Sequence, residues 1–364
     1  MSIFIKIKGK LMDMAIQYEF EAFGQPSLYK NSERRFKVYF SEPESGVDEK
    51  TGILLFISGY GANPTSNVYK KMRNGFADKY NLITLQCEYF GIEFMKSEIG
   101  IKSNEFTQKE LQLINLPAKN GYDYTKRIIK EFDETQDNMN DMGPIQAIDN
   151  LTSIASVIEI LKNNNLVFNK NKIIIYGYSH GAYLAHLCNI FSPYLISTII
   201  DNSGYIWPEY LKFGRPRVIY GYLGQLRIET KFKYLINDII FDKELYDLKK
   251  LYSQIKNKCR IIAFQGIEDE LYDYCEKVNF IQDIDNATVE LITSNDVDGF
   301  IFKSAEHGLD ADFIKLFEYV NNTYELEQKN DSWGFKDVEY KTQNYTYKIK
   351  NNLGVPVLSY EKNK

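Results

Sequence analysis

Ser179 stands at the centre of the sequence GYSHG, residues 177–181, which has the spacing Gly-x-Ser-x-Gly. An apolar, β-branched run precedes it, and the helix-like pattern GAYLAHLCNIF follows directly. At such a strand-to-helix corner the glycines permit a tight turn, and the strained serine projects its hydroxyl above the sheet edge. The backbone N–H of His180 then lies at the positive end of the new helix, where an oxyanion would form. The pattern therefore predicts Ser179 as the nucleophile of an acyl-transfer reaction.

A serine hydroxyl is a poor nucleophile without a neighbouring base, and the chain has three histidines. His180 lies inside the GYSHG turn, and His186 lies on the following helix, where we expect a packing or hydrogen-bonding role. His307 stands in SAEHGLDADF, a loop between the apolar run ATVELIT and a terminal helix pattern. Because such a loop leaves the carboxyl edge of a parallel sheet, we predict that His307 is the base.

A carboxylate should orient this histidine from the end of a strand between Ser179 and His307. Asp269 is the preferred candidate, because it follows the strand-like run CRIIAFQG within the acidic loop GIEDELYD. Two alternatives stay open from the sequence: Glu268 in the same loop, and Asp201 after the run ISTII. The chain order of serine, aspartate and histidine is the order expected for a hydrolase of this topology.

An acyl-transfer site also needs a second oxyanion donor from an early strand-to-helix loop. The sequence LLFISGYGANP, residues 54–64, provides such a loop directly after a buried strand. Its glycines let backbone N–H groups approach a substrate oxygen without an intervening side chain. We predict the N–H of Tyr60 as the donor, with Gly61 next, acting together with the N–H of His180.

Short apolar runs rich in β-branched residues recur along the chain and predict the strands that position these residues. Most runs are continuous, which indicates strands covered on both faces. They are RFKVYF, GILLFIS, LITLQC, KIIIYG, ISTIID, CRIIAFQG and ATVELIT, at residues 35–40, 52–58, 82–87, 172–177, 196–201, 259–266 and 287–293. Helix-like patterns lie between them, so we predict a three-layer α/β sandwich with a mainly parallel sheet.

Two segments, residues 90–142 and 205–254, do not fit this alternation and are rich in Tyr, Phe, Lys and Glu. Because structureless loops of this length are uncommon, we predict helical, lid-like insertions. The alternating pattern within the C-terminal extension, residues 324–364, predicts a hairpin, and the alternating N-terminus predicts an edge strand. The whole chain, residues 1–364, is then one domain with a core at about residues 35–322.

Composition and charge exclude several classes of protein. The formal net charge of −5 lacks the basic excess that holds nucleic acid. No run of about 18 apolar residues predicts a membrane span, and lysines interrupt the apolar N-terminus, unlike a signal peptide. Four widely separated cysteines favour reduced thiols over a disulfide framework or a zinc site. We therefore expect a cytoplasmic protein that needs neither a metal nor an organic cofactor.

With these motifs the chain resembles the α/β-hydrolase superfamily, and within it an uncharacterised bacterial family that carries the pair SGYGANP and GYSHGAYLA. The resemblance covers roughly residues 37–322 without the insertions. It implies Ser179 as nucleophile, Asp269 and His307 as its partners, and backbone donors at Tyr60 and His180. The chain departs from the His-Gly start of many lipase and esterase oxyanion loops, because Ser58 and Gly59 stand there.

The function expected from these residues is covalent acyl transfer from an ester to water or to a sugar hydroxyl. The resemblance implies an acylated sugar as substrate, because relatives occur among bacterial genes for surface-glycan or flagellin modification. A serine peptidase of the same fold is the enzymatic alternative. A binding protein that keeps the fold without turnover is the alternative of a different class.

Overall fold

Strands and helices alternate along most of the chain in the computed structural model, which describes residues 6–8, 15–95, 106–117, 124–208, 211, 217–352 and 354–364. The strands are β1 (Lys6–Lys8), β2 (Ile16–Gly24), β3 (Arg34–Glu42), β4 (Gly52–Ile57), β5 (Leu82–Cys87), β6 (Tyr124–Glu131), β7 (Ile173–Tyr178), β8 (Thr198–Asn202), β9 (Arg217–Leu223), β10 (Leu226–Lys233), β11 (Arg260–Gly266), β12 (Ala287–Ile292), β13 (Val338–Lys341), β14 (Tyr345–Asn352) and β15 (Val355–Lys362). The helices are α1 (Asn67–Tyr80), α2 (Gln108–Ile114), α3 (Pro144–Asn163), α4 (His180–Phe191), α5 (Ile236–Ile239), α6 (Leu248–Tyr252), α7 (Tyr274–Gln282) and α8 (Phe313–Thr323).

The central sheet has the strand order β1-β2-β3-β5-β4-β7-β8-β11-β12 among the described residues. From β5 to β12 neighbouring strands pair in parallel, whereas β1, β2 and β3 pair antiparallel at one side. This mainly parallel sheet confirms the predicted fold class. Because parallel strands end at the same edge, the loops after β4, β7, β8, β11 and β12 leave from one side of the molecule.

Helices cover both faces of this sheet and give it three layers. All six residues of β4 are buried, as its continuous apolar run predicted. Ile53 and Leu55 pack in a cluster with α3, α4 and α7, whereas Leu54 and Phe56 pack with α1 and α8 on the opposite face. Alternate side chains of one strand therefore supply two separate apolar cores.

The two insertions differ from the predicted helical lids, because each contributes strands to a small shared sheet. Strand β6 of the first insertion pairs in parallel with β10 of the second, and β10 pairs antiparallel with β9. Helix α2 covers one face, where Ile128, Leu226 and Ile228 pack against Leu113 and Ile114. The apolar residues of β10 recur with a period of two, which suits a half-buried strand. Parts of both predicted insertions, residues 96–105, 118–123, 209–210 and 212–216, lie outside the described residues.

The C-terminal extension is a three-stranded antiparallel sheet of β13, β14 and β15, larger than the predicted hairpin. It is tied to the main domain by side chains from its strands. The hydroxyl of Tyr340 donates to the carbonyl of Ile190 in α4, and the hydroxyl of Tyr347 donates to Asp242 at 2.9 Å. Both tyrosines are buried, so the extension is packed against the domain instead of projecting from it.

Three further observations concern the predicted edges and general character of the chain. Strand β1 pairs with β2 at the edge of the central sheet, in agreement with an N-terminal edge strand, while residues 1–5 and 9–14 lie outside the described residues. No helix in the described part of the chain is long and apolar enough to cross a membrane. The cysteines are free thiols, exposed at Cys275 and buried at Cys87, Cys188 and Cys259.

Candidate active site

Ser179 lies at a sharp turn between β7 and α4, with a positive φ of 53° that a non-glycine residue rarely adopts. The flanking glycines are sterically required. A Cβ atom at Gly177 would lie 2.3 Å from Cα of Ala182, and one at Gly181 would lie 1.9 Å from the carbonyl oxygen of Ile57. The sequence GYSHG therefore folds into a turn that other residues could not form without displacing the backbone.

The structure brings together the three side chains that the sequence predicted to cooperate. Oγ of Ser179 lies 2.8 Å from Nε2 of His307, and Nδ1 of His307 lies 2.8 Å from Oδ2 of Asp269. The imidazole is 17% exposed, whereas the side chain of Asp269 is 1% exposed. With a carboxylate accepting at Nδ1, the ring carries its proton there and presents Nε2 to the serine as an acceptor.

The carboxylate of Asp269 is held in place by three donors besides the imidazole. Nε2 of Gln265 donates to Oδ2 at 2.7 Å, and the backbone N–H groups of Leu271 and Tyr272 donate to Oδ1 at 2.8 and 3.1 Å. Burial alone would raise the pKa of Asp269, but the hydrogen bond and charge of His307 outweigh it, so the pKa lies below its ordinary value. The group is therefore an anion that favours a fixed orientation of the imidazole.

The loop that carries His307 is held close to the GYSHG turn by its backbone shape. Gly308 has a φ of +80°, and a Cβ atom there would lie 2.5 Å from the hydroxyl oxygen of Tyr178. A second close approach fixes the other side, because a Cβ atom at Gly266 would lie 2.0 Å from the carbonyl oxygen of Ala305. Glycine at both positions lets the loop reach the carboxyl edge of the sheet.

The alternative acids have other environments. Asp201 is fully buried, where Oδ2 contacts Nε2 of His186 at 2.9 Å and the ammonium of Lys277. Burial would raise the pKa of Asp201, but the charge of Lys277 and the contact with His186 lower it. Glu268 lies in the same loop as Asp269, but it is exposed to solvent. His186, which also bonds Tyr252 at 2.9 Å, has the hydrogen-bonded core role that its helical position indicated.

The predicted oxyanion donors lie at the same edge of the sheet. Tyr60 and Gly61 lie in the loop after β4 and are partly exposed, and Gly61 has a φ of +89°. His180 is the first residue of α4, whose start contacts the end of β4 through the close approach at Gly181. The ring of His180 is buried, with Nε2 bonded to Gln146 at 2.7 Å and Nδ1 bonded to Tyr205.

Aromatic residues of both insertions contact the loop of Tyr60. The hydroxyl of Tyr60 hydrogen-bonds that of Tyr234, and its ring meets Phe232 edge to face at 6.3 Å. The ring of Phe132 in the first insertion stacks on the ring of Tyr234, with their centroids 4.9 Å apart. The ring of Phe94 meets that of Phe132 edge to face at 6.0 Å. The small sheet of the insertions is thereby packed beside the predicted oxyanion loop, which the sequence reasoning did not foresee.

Gln265, which bonds Asp269, was not predicted as a site residue, although the sequence contains a feature that indicates it. It is a polar residue near the end of an otherwise apolar strand and is completely buried. Burying an amide requires hydrogen-bond partners, so an isolated glutamine at a strand end beside an acidic loop indicates a supporting role. Elsewhere among the described residues, no group of three or more His, Cys, Asp or Glu side chains is arranged to hold a metal ion.

Together the sheet order, the Gly-x-Ser-x-Gly turn and the order Ser179, Asp269, His307 are features of the α/β-hydrolase fold. Solved structures with similar architecture include Est1E from Butyrivibrio proteoclasticus, with 14% identity and a TM-score of 0.46 over 82% of this chain and 97% of that one. Acetyl xylan esterase 1 from Thermoanaerobacterium sp. has 12% identity and a TM-score of 0.49 over 89% and 88%. S-formylglutathione hydrolase from Agrobacterium tumefaciens has 11% identity and a TM-score of 0.47 over 88% and 98%.

The sequence comparisons give a more specific assignment. No curated protein sequence is significantly similar to this chain. A family model matches residues 98–352. This range includes the GYSHG turn, the loop that carries Asp269 (the acid loop) and the loop that carries His307 (the histidine loop). Because the match covers most of the chain, the protein belongs to the family described as Protein of unknown function (DUF2920).

Proposed function

We propose that this protein is a serine hydrolase that works by covalent acyl transfer, with Ser179 as the nucleophile. The proposal is carried by one observation, the unbroken hydrogen-bonded path from Oγ of Ser179 through His307 to Asp269. A nucleophile, a base and an orienting anion within hydrogen-bond reach are the arrangement that activates a serine hydroxyl. A buried structural histidine would not need an accessible serine as its partner.

In the proposed reaction, Nε2 of His307 takes the hydroxyl proton as Oγ of Ser179 bonds to the carbonyl carbon of an ester. The carbonyl electron pair moves to oxygen, and the anion of Asp269 stabilises the imidazolium that forms. Collapse of this tetrahedral species breaks the bond to the leaving alkoxide, which takes the proton from His307. Water then attacks the acyl-enzyme by the same steps and releases the acid; a sugar hydroxyl in place of water would give an acyltransferase.

The backbone N–H groups of His180 and Tyr60 are the proposed oxyanion donors, with Gly61 as the next candidate. The support is their position at one edge of the sheet, after β7 and β4 respectively, and the positive end of α4 at His180. Each such donor contributes about 10²–10³ in turnover in related chemistry. The proposal needs no metal ion or organic cofactor, because each role falls to a residue of this chain.

Esters are the proposed substrate class, and an acylated sugar is the preferred member of it. The aromatic residues beside Tyr60, including Phe94 and Phe132, are partly exposed and offer flat surfaces for a sugar ring or an acyl group. Amide hydrolysis by a serine peptidase uses the same catalytic groups. Turnover of matched ester and amide substrates therefore has to distinguish an alcohol from an amine as the leaving group.

A fluorophosphonate probe followed by a substrate panel tests the proposal. Wild type should be labelled at neutral pH, and Ser179→Ala should not. Turnover of p-nitrophenyl acetate, acetylated sugars and aminoacyl amides then separates an esterase from a peptidase. If folded wild type neither labels nor cleaves small acyl esters under conditions where a known serine hydrolase does, the protein is a binding protein with this fold.

A further inference from the structure

The turn after β8, taken as the last two residues of that strand with Ser203 and Gly204 (residues 201–204), contacts the GYSHG turn, strand β11 and the loop of His307. Its backbone continues the ladder of the central sheet on both sides. The N–H of Ser179 donates to the carbonyl of Asn202 at 2.8 Å, and the N–H of Ser203 donates to the carbonyl of Phe264 at 3.0 Å in the strand before the acid loop. The turn is thus fixed relative to the serine and to the strand that leads to Asp269.

Two side chains of this turn hold the residue directly after His307. The N–H of Gly308 donates to Oγ of Ser203 at 3.0 Å, and Nδ2 of Asn202 donates to the carbonyl of Gly308 at 3.3 Å. Gly308 is buried, so both of its peptide groups need partners inside the protein. The hydroxyl of Ser203 also donates to Oδ1 of Asn202 at 3.1 Å, which orients the two side chains together.

The loop of His307 contains no helix or strand, although short-range backbone bonds close its turns, such as that from the N–H of Ala311 to the carbonyl of Gly308 at 3.2 Å. Gly308, Leu309 and Asp310 all have positive φ values, of 80°, 62° and 41°. Such a backbone persists only where surrounding contacts determine it. Contacts from the rigid end of β8 are of this kind, because Asn202 and Ser203 are completely buried.

The buried ion pair of Asp201 and Lys277 also binds the turn after β8. Oδ1 of Asp201 accepts from the N–H of Gly204 at 2.7 Å, and Nζ of Lys277 donates to the carbonyl of Gly204 at 2.6 Å. The side chains of Asp201 and Lys277 also pair with each other, and both are fully buried. The contacts on either side of Ser203, which has a φ of 57°, therefore keep its strained conformation in place.

From these contacts we infer that Asn202 and Ser203 are positioning residues, which set His307 at its distance from Ser179 by binding both peptide groups of Gly308. The inference rests on the proposed function, because it assigns a task within the same site. Neither side chain touches the reacting atoms in this assignment. Their loss should therefore lower turnover, while substrate binding changes little.

Ser203→Gly is the decisive variant, because it removes the CH2OH group that contacts Gly308, and glycine adopts the positive φ of this position without strain. Asn202→Ala removes the second contact. Ser197→Ala is the matched control, since it deletes another buried serine hydroxyl, bonded to the carbonyl of Ile173 at 2.9 Å, just before the opposite end of β8. We expect Ser203→Gly and Asn202→Ala to lower kcat for p-nitrophenyl acetate by about tenfold and to change KM by less than about twofold. This loss of kcat is smaller than the roughly 10²-fold loss that a misplacement of ~1 Å can cause.

The NMR signal of the Nδ1–H proton of His307 gives a readout that does not require turnover. In protein with ¹⁵N-labelled histidine this signal is assigned by its loss in His307→Ala. We expect it to shift or broaden in Ser203→Gly and Asn202→Ala, and to keep its wild-type position in Ser197→Ala. A merely structural role would lower stability without moving this signal.

The two readouts separate the failures. If wild type turns over substrate and Ser203→Gly keeps both its kcat and the His307 signal, the positioning role is wrong and the proposed function stands. If wild type shows no turnover but the His307 signal still changes in Ser203→Gly, the positioning role stands and the proposed function is wrong. Equal changes in Ser197→Ala would also overturn the inference, because they would reflect a general loss of packing.

Discussion

Nδ1 of His307 lies 2.8 Å from Oδ2 of Asp269, whose other oxygen accepts two backbone N–H groups of its own loop. The anion is therefore anchored to the backbone on one side and to the imidazole on the other. Asp201, which lies near the end of strand β8 in the same sheet, contacts a different histidine and a lysine.

Replacing Asp269 with asparagine should lower kcat by about 10⁴ while the protein stays folded, because the ring loses its preferred tautomer and its neighbouring charge. Steady-state turnover and thermal unfolding measure the two effects. Glu268→Gln is the matched control in the same loop and should resemble wild type. Activity retained in Asp269→Asn would remove this carboxylate from the mechanism.

Covalent labelling should depend on both Ser179 and His307. The fluorophosphonate reacts readily only if the imidazole takes the hydroxyl proton, so His307→Ala should label far more slowly than wild type. The labelling rate at neutral pH, followed by mass spectrometry, measures this dependence. His186→Asn, which changes the buried histidine of the core, should label like wild type provided it folds. An accessible serine labelled equally well without His307 would be reacting without a base.

The role of the Tyr60 backbone can be separated from that of its side chain. Tyr60→Pro deletes the N–H and should lower kcat by about 10²–10³ if that group is an oxyanion donor. Tyr60→Phe keeps the N–H and removes the hydroxyl that contacts Tyr234, so a much smaller loss is expected. Circular dichroism must show that the proline variant is folded. Equal kcat in the proline variant and wild type would leave Gly61 as the donor.

Removing the buried partner of Asp201 should destabilise the fold. Lys277→Met leaves a fully buried carboxylate without its ammonium, and breaking such a pair typically costs about 3–5 kcal/mol. Urea unfolding measures the free energy of unfolding. Lys79→Met is a suitable control, because the pair of Lys79 with Glu318 is exposed to solvent, so its loss should change the free energy of unfolding very little. A loss no larger than that of the control would mean that the buried pair does not stabilise the turn after β8.

Acid should weaken the fold through Asp201. The pKa of Asp201 in the folded protein lies below its value of about 3.9 in the unfolded chain. Between these two pKa values the unfolded state binds more protons, so the free energy of unfolding rises with pH. The contribution is fully present above about pH 4 and is lost as the pH falls through the folded pKa. Unfolding free energies from pH 3 to 6 measure it, and Asp201→Asn should show a shallower slope than wild type. Parallel slopes would show that Asp201 is not a source of the pH dependence.

Several parts of the fold could be predicted because the information is local in the chain. The continuous apolar runs of β4, β7 and β11 mark strands buried on both faces, and each is buried throughout or nearly so. The turn at Ser179 is equally local, since its strand, glycines and helix lie within a few consecutive residues. Steric limits on a tight turn act over that same distance, so the pattern GYSHG by itself determined the corner.

Only the tertiary structure decided the contacts between distant segments. Asp201 lies near the end of β8 and Asp269 follows β11 at the same edge of the sheet, and the sequence left both open as partners for His307. Which aspartate contacts His307 depends on which loops meet in the fold. Asp201 instead forms a buried ion pair with Lys277 of α7. The insertions contain a shared sheet besides their helices, because β6 and β10, far apart in sequence, pair with each other. Strand pairing satisfies backbone hydrogen bonds with any partner of suitable geometry, so a single strand's sequence does not name its neighbour.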